Sequence, residues 1–285
     1  MEPAVSTAVD LRRNLHEMWS SVAGAWREHA DFIDNRAAEV TAALLDGVHP
    51  LVGERVLELA CGTGGTGLAA APLVAPGEVV VSDVAEPMTV IAADRAGALG
   101  LTNVRARVLD LEAIDEPDAS YDIVLCREGL MFAVDPARAL AEIRRVLRPG
   151  GRLALAVWGP RAENPWLALV FDAVGAVLGA PIPPPGVPGP FSLDSTQRVA
   201  DLLTGAGLVD ISVGSIAVPL QAPDFDTWWR RTAALAGPIA GRLAHLPDHV
   251  RADLRNRLAQ AALPYRTGDA LHFPGLSTIA TARAA

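Results

Sequence analysis

Residues 55–74 read RVLELACGTGGTGLAAAPLV, an apolar run that passes through a glycine-rich turn into a second apolar stretch. Gly62, Gly64 and Gly67 have the spacing G-x-G-x-x-G. A sharp turn from a strand into a helix favours glycines, because side chains would block both the turn and the approach of a ligand to the backbone. A purely structural turn and a pyrophosphate site share this spacing. The stretch therefore predicts a βα unit but does not by itself identify a ligand.

Apolar runs alternate with helical patterns outward from this unit, which is typical of βα units around a parallel sheet. We therefore predict an α/β, doubly wound, Rossmann-like fold. The predicted strands are 55–60, 78–83, 104–110, 121–126, 151–158, 208–220 and 276–283. The predicted helices are 65–75, 86–99, 135–147, 165–179 and 194–206.

Two segments interrupt the alternation. PIPPPGVPGP at 181–190 is too rich in proline for the interior of a helix or strand. The second segment carries Trp228 and Trp229 together with helical patterns. We expect a helical cap formed by residues 1–35, 161–193 and 221–270, inserted around a core formed by 36–160, 194–220 and 271–285.

Composition limits the possible functions. The 285 residues are 51% hydrophobic, but no run of about 18 apolar residues occurs, so we expect no membrane span. The first residues lack an apolar segment behind a basic start, which favours a soluble, cytoplasmic protein over a secreted one. The net charge of −9 argues against a nucleic-acid partner, which requires clustered cations. A small-molecule partner is expected instead, and a homodimer is left open.

Lysine chemistry is excluded, because all 24 cationic side chains are arginines. The two cysteines, Cys61 and Cys126, end apolar runs and are interpreted as structural thiols rather than as a disulfide or a metal site. No metal ligands are predicted.

Three acidic residues accompany the first strands. Glu58 lies four residues before Gly62, Asp83 closes the second predicted strand, and Asp110 closes the third. A carboxylate after the second strand can accept both hydroxyls of a ribose. Three carboxylates around one crevice suit a ligand with positive charge better than a pyrophosphate.

These residues form an ensemble that resembles the class I S-adenosylmethionine-dependent methyltransferases over residues 55–158. The matching parts are ELACGTGG, Asp83, Asp110 with Leu111, and RVLRPGGRL at 145–153. The segment WSSVAGAW at 19–26 is also similar to an N-terminal segment of the ubiquinone/menaquinone C-methyltransferases, with Trp19 and Trp26 at its two aromatic positions. The family's sheet has a seventh, antiparallel strand, which 276–283 would supply.

The resemblance implies S-adenosylmethionine as the cofactor and S-adenosylhomocysteine as its product. Gly62 and Gly64 would lie against the methionyl part, Asp83 would bind the ribose, and Met88 would pack on the adenine. Asp110 and Leu111 would bracket the polar edge of the adenine. Cys126 and Arg127 would face the methionyl group and the acceptor. Glu58 and Trp26 complete the predicted cofactor site.

The resemblance also implies methyl transfer by in-line displacement, in which alignment supplies much of the rate. We expect a small apolar or aromatic acceptor. Its predicted pocket comprises Trp19, Met131, Phe132, Trp158, Trp228 and Trp229. The segment CREGLMF after the fourth strand departs from the quinone enzymes, which argues against a quinone acceptor.

No catalytic residue is identified from the sequence. The candidate bases are His16, His29, His245, His249 and His272, but each is interpreted as a solvated surface residue. Two alternatives stay open at this point: a dinucleotide-dependent oxidoreductase, and a protein that binds S-adenosylmethionine without catalysis.

Overall fold

A computed structural model describes residues 8–285, apart from the side chain of Ala244. The first seven residues of the predicted cap segment 1–35 lie outside the described residues. The rest of that segment forms helices α1 (Ala8–Glu28) and α2 (Ala30–Arg36), and α3 (Ala38–Val48) leads into the first strand.

The core is a seven-stranded sheet in the order β3-β2-β1-β4-β5-β10-β6. Its strands are β1 (Val56–Glu58), β2 (Val79–Asp83), β3 (Val104–Val108), β4 (Tyr121–Arg127), β5 (Leu147–Trp158), β6 (Leu208–Ala217) and β10 (Leu276–Ala284). The last strand, β10, is antiparallel to both β5 and β6. The predicted doubly wound sheet with an antiparallel last strand is confirmed.

Helices connect and cover these strands. They are α4 (Gly65–Val74), α5 (Glu86–Ala98), α6 (Pro136–Val146), α7 (Pro165–Leu178) and α8 (Thr196–Gly205). The central strands β1 and β2 are buried along their whole length, because helices and neighbouring strands cover them. The first βα turn is therefore held at the carboxyl end of a rigid strand.

Two strand boundaries differ from the sequence-based prediction for backbone reasons. The predicted strand 208–220 divides after Ala217, where Pro219 lacks the N–H that a ladder needs. The predicted strand 151–158 begins earlier than expected: β5 starts at Leu147, which pairs with Tyr121 before a shift in register.

The insertion 221–270 is not purely helical, which corrects the predicted helical cap. Its helices are α9 (Phe225–Leu235), α10 (Gly237–Ala244) and α11 (Asp248–Ala261). A three-stranded antiparallel sheet joins them, in the order β7-β9-β8. Its strands are β7 (Leu220–Ala222), β8 (Arg266–Thr267) and β9 (Ala270–Phe273). Strands of two to four residues leave too weak a periodicity to be recognised in the sequence.

The N-terminal helix α1 joins the inserted segment to the core. It packs against α5 of the core and against α9 and α10 of the inserted segment. Val22 and Ala23 of α1 are buried together with Met88 of α5, and Trp19 and Trp26 border this cluster. The aromatic N-terminal segment thus lies beside the first βα units. Among residues 8–285, no helix is both long and apolar enough to cross a membrane.

Candidate functional site

The glycine-rich turn at the end of β1 is shaped by close contacts. Gly62 has φ of 53° and Gly64 has φ of 86°, a region that favours glycine. A Cβ atom on Gly62 would lie 3.1 Å from the ring of Trp26. A Cβ atom on Gly67 would lie 2.6 Å from both Glu58 Oε2 and Val81 Cγ1. The three glycines therefore allow the turn, its aromatic cover and the packing of α4 on the sheet.

Glu58 supports this turn from below. It is 1% exposed, and its Oε2 accepts a hydrogen bond from the Gly67 N–H at 2.8 Å. Burial raises the pKa of Glu58 to about 7, although Arg127 and the Gly67 N–H favour the charged form. Through this hydrogen bond, Glu58 orients the backbone at the start of α4.

Asp83 ties the end of β2 to the turn. Its Oδ2 accepts from the Gly62 N–H at 2.9 Å and its Oδ1 accepts from the Ala85 N–H at 3.0 Å. Burial raises the pKa of Asp83, while these two backbone bonds oppose the shift. Each carboxylate oxygen can accept more than one hydrogen bond, so capacity remains for ribose hydroxyls.

Asp110 lies after β3, at the same edge of the sheet. Its Oδ1 accepts from the Glu112 N–H at 2.8 Å, and its Oδ2 lies 4.0 Å from His16 Nε2 on α1. The Thr63 hydroxyl in the glycine-rich turn is 1% exposed and has no hydrogen-bond partner among the described residues. Carboxylates, a free hydroxyl and an open backbone turn are groups that fit S-adenosylmethionine.

A first cavity lies over this turn and extends to Asp110. Seven residues of the predicted cofactor site line it: Trp26, Gly62, Asp83, Met88, Asp110, Leu111 and Arg127. Glu58, Gly64 and Cys126 do not line it, and Cys126 is 1% exposed beneath the turn. Arg127 is held by Thr41 Oγ1 at 2.8 Å and by Asp34 Oδ1 at 3.3 Å.

A second cavity adjoins the first and is lined mainly by apolar side chains. Four residues of the predicted acceptor pocket line it: Trp19, Met131, Phe132 and Trp158. The two cavities share five wall residues: Trp19, Trp26, Ile33, Glu128 and Phe132. The ring centroid of Trp19 lies 5.9 Å from that of Trp26 and 4.9 Å from that of Phe132, both edge-on. An aromatic wall therefore marks the junction.

Trp228 and Trp229 do not line either cavity, which corrects their predicted place in the acceptor pocket. Trp228 is 1% exposed and donates its indole N–H to the Trp166 carbonyl at 3.1 Å. It also packs against Phe273 of the small sheet. The large apolar ring of Trp228 therefore contributes to core packing. A sequence alone cannot distinguish a tryptophan that packs in a core from one that contacts a ligand.

Glu128 is one of the cavity residues that the sequence patterns did not reveal. It lies directly after β4, in a left-handed conformation with φ of 57°, and its N–H donates to the Ala156 carbonyl at 2.7 Å. Burial raises the pKa of its carboxyl group, while Arg127 and Arg36 oppose the shift. Its position at the carboxyl end of a central parallel strand was the available signal.

The candidate histidine bases contribute little to the lining of the two cavities. His16 lines the first cavity, whereas His29, His245, His249 and His272 line neither cavity. Among residues 8–285, no cluster of three or more histidine, cysteine, aspartate or glutamate side chains could hold a metal ion.

Comparisons with known proteins identify the family of this chain. A family model described as "Methyltransferase domain" matches residues 56–151. The chain is 40% identical to a demethylmenaquinone methyltransferase from Thermus thermophilus, over 58% of this chain and 81% of that protein. It is 33% identical to the nocamycin O-methyltransferase of Saccharothrix syringae, over 65% of this chain and 69% of that protein.

The likeness to the ubiquinone/menaquinone C-methyltransferases is shorter. The chain is 38% identical to the enzyme from Ectopseudomonas mendocina over 45% of this chain, and it spans about half (50%) of that relative's length. A solved structure of a putative methyltransferase from Bacillus halodurans has the same fold, with a TM-score of 0.61 at 19% identity. That comparison covers 86% of this chain and 98% of the other.

The chain therefore belongs to the class I S-adenosylmethionine-dependent methyltransferases, near the ubiquinone/menaquinone C-methyltransferase group. S-adenosylmethionine is the cofactor that this membership implies. The alternative of a dinucleotide-dependent oxidoreductase is set aside by the same findings.

Proposed function

We propose that this protein transfers a methyl group from S-adenosylmethionine to a small, largely apolar acceptor that binds in the second cavity. The observation that carries the proposal is the pair of adjoining cavities with a shared wall of Trp19, Trp26, Ile33, Glu128 and Phe132. One cavity contains the carboxylates that suit the cofactor, and the other offers apolar surface to an acceptor.

Within this proposal, the bound cofactor supplies an electrophilic methyl group on a sulfonium. The protein contributes position: Asp83 and Asp110 fix the nucleoside end, and the aromatic wall places the acceptor against the methyl group while excluding water. Holding two reactants in line is worth about 7 to 11 kcal/mol in favourable cases. Alignment is therefore the main contribution of the fold.

Glu128 is proposed as the proton acceptor for this reaction. It lines both cavities, and we infer that its carboxylate can reach the place where cofactor and acceptor meet. As the acceptor atom gains the methyl group, its proton moves to the Glu128 carboxylate. A carboxyl group with a raised pKa is a better proton acceptor than an ordinary one, provided it is ionised at the working pH.

The acceptor atom is left open between carbon and oxygen. Relatives named as C-methyltransferases and one named as an O-methyltransferase match this chain. An assay with labelled S-adenosylmethionine against hydroquinones, phenols, aromatic carboxylic acids and aliphatic alcohols would test the proposal. Transfer to at least one apolar acceptor is expected. Tight cofactor binding without transfer to any of them would instead favour the non-catalytic alternative.

Asp83→Ala and Asp110→Ala should each weaken the binding of S-adenosylhomocysteine by about 1 to 3 kcal/mol, because each leaves donors of a buried ligand without an acceptor. Calorimetric titration measures this directly. Asp115→Ala is the matched control, since Asp115 is an exposed carboxylate outside both cavities. Unchanged affinity in both site variants would show that the cofactor lies elsewhere.

We also propose that residues 1–35, 161–193 and 221–270 act as a cap over the two cavities. Trp26 links two of these segments, because its indole N–H donates to the Leu235 carbonyl at 3.1 Å. Hydrogen exchange with S-adenosylhomocysteine and an acceptor should show added protection in at least two of the segments. Protection gained only within residues 55–158 would contradict a cap.

A further inference from the structure

We propose that Arg36 and Arg231 form a binding site for a planar anionic group, a carboxylate or an acidic enolate, on the acceptor. The inference rests on the proposed function and specifies its substrate class. Both arginines line the second cavity and neither lines the first. The anionic group would therefore be held on the acceptor side of the junction.

Arg36 presents a buried donor to this cavity. Its guanidinium carbon lies 3.9 Å from the ring centroid of Trp166 and 4.9 Å from that of Trp158. One terminal nitrogen donates to the Val218 carbonyl at 3.4 Å. Its Nε is buried and has no partner among the described residues. The group is thus held in place by aromatic rings while part of its donor capacity is unused.

Arg231 repeats this arrangement on a neighbouring helix. Its guanidinium carbon lies 3.7 Å from the ring centroid of Phe32, and its Nε is likewise buried without a partner among residues 8–285. Phe32 and Arg36 are four residues apart on α2, so they lie on one face of that helix. Both arginines therefore line the second cavity, Arg36 from α2 itself and Arg231 over a ring that α2 carries.

The positive charge of Arg36 and Arg231 is not balanced by the surrounding side chains. No carboxylate among residues 8–285 lies within 4.0 Å of either guanidinium group, whereas Asp34 pairs with Arg95 and Arg127 nearby. Burial lowers the pKa of Arg36 to about 10, opposed by Glu128, so Arg36 stays charged at neutral pH. Glu128 offsets only one of the two positive charges that border the second cavity.

A buried charge without a partner is costly, and an anionic ligand removes that cost by supplying the partner. The planar guanidinium fork matches the two oxygens of a carboxylate or of an enolised dicarbonyl. The aromatic and aliphatic walls would contact the rest of the molecule. The geometry therefore points to an amphipathic acceptor with an apolar body and one acidic group.

The test compares two probes of the same shape, 2-naphthoate and the neutral 2-naphthalenemethanol, titrated calorimetrically into the full chain saturated with S-adenosylhomocysteine. We expect the acid to bind at least about tenfold more tightly than the alcohol, in line with a charge-assisted hydrogen bond. The preference should be lost in Arg36→Met and in Arg231→Met. Arg230→Met is the matched control, because Arg230 is an exposed arginine on the same helix.

Equal binding of the two probes, binding of neither, or an unchanged preference in both cavity variants would overturn the inference. Circular dichroism and the affinity for S-adenosylhomocysteine verify that each variant is folded. The cofactor titration also separates the two proposals. Normal cofactor binding without a preference for the acid would refute only the anion site. A chain that does not bind S-adenosylhomocysteine, but prefers the acid when titrated without it, would refute the proposed function.

Discussion

Replacing Glu128 by glutamine should lower kcat by about 10²- to 10⁴-fold, the contribution that a positioned general base typically makes. Glutamine keeps the size and one acceptor oxygen of the side chain but cannot take up a proton. Glu128 lines the cofactor cavity and the acceptor cavity together, so the loss should appear in the chemical step. The affinity for S-adenosylhomocysteine should remain within about twofold of the original protein.

The pH dependence of the rate tests the role of Glu128 independently. Burial raises the pKa of Glu128, and Arg127 and Arg36 partly reverse the shift, with Ser277 as its hydrogen-bond donor at 3.4 Å. Only the carboxylate accepts a proton, so the rate is full above the folded-state pKa and falls as the pH drops through it. The acid limb should therefore lie above the ordinary range of a glutamate.

Glu163→Gln is the matched control for this prediction, since Glu163 is exposed and lines neither cavity. The acid limb should disappear in the Glu128→Gln variant. A limb that persists there would implicate Glu58, whose pKa of about 7 also lies in this range. A kcat within about threefold of the original would exclude Glu128 as a base.

Trp26→Ala should lower kcat/KM by about 10²-fold, because a misplacement of about 1 Å has an effect of that size where alignment supplies the rate. The ring borders both cavities and lies against Gly62, and its N–H donates to the Leu235 carbonyl. Truncation would open the junction to water and remove one hydrogen bond between α1 and the inserted segment. The loss should exceed that in His16→Ala, His29→Ala, His245→Ala or His249→Ala.

Two further variants distinguish an effect on the alignment of the reactants from an effect on the stability of the fold. Trp26→Phe keeps an aromatic ring at the junction but loses the hydrogen bond to Leu235, so an intermediate loss of activity is expected. Trp229→Ala removes a half-buried tryptophan that lines neither cavity, and it should affect the unfolding midpoint more than catalysis. A histidine variant that loses about 10³-fold in activity at unchanged cofactor affinity would replace Glu128 as the candidate base.

The cofactor half of the molecule could be predicted from the sequence because each of its features is local. The apolar strands, the glycine spacing and the acids that close β2 and β3 are all visible within single βα units. Since parallel strands present their carboxyl ends at one edge, Asp83 and Asp110 had to converge. The structure brings them together around the first cavity.

The acceptor half could not be predicted in the same way, because it is assembled from distant segments. Trp19, Arg36, Glu128 and Arg231 come from three different regions of the chain, and no spacing connects them. Tryptophan also serves equally well in a core and in a pocket. For this reason Trp158 and Trp228 were indistinguishable in the sequence, although only Trp158 lines the second cavity.

The small sheet β7-β9-β8 holds the two ends of the insertion together, which affects how the sequence of the insertion can vary. Leu220 pairs with Phe273, and the Val218 N–H donates to the Gly275 carbonyl at 2.7 Å, so both ends of the insertion leave the core side by side. An insertion with adjacent ends can change in length without displacing the strands that carry it. The segment from 221 to 270 can therefore vary in length while its two ends stay paired. Grafting another specificity onto this scaffold requires two neighbouring splice points and a replacement that packs equally well on α1 and α7.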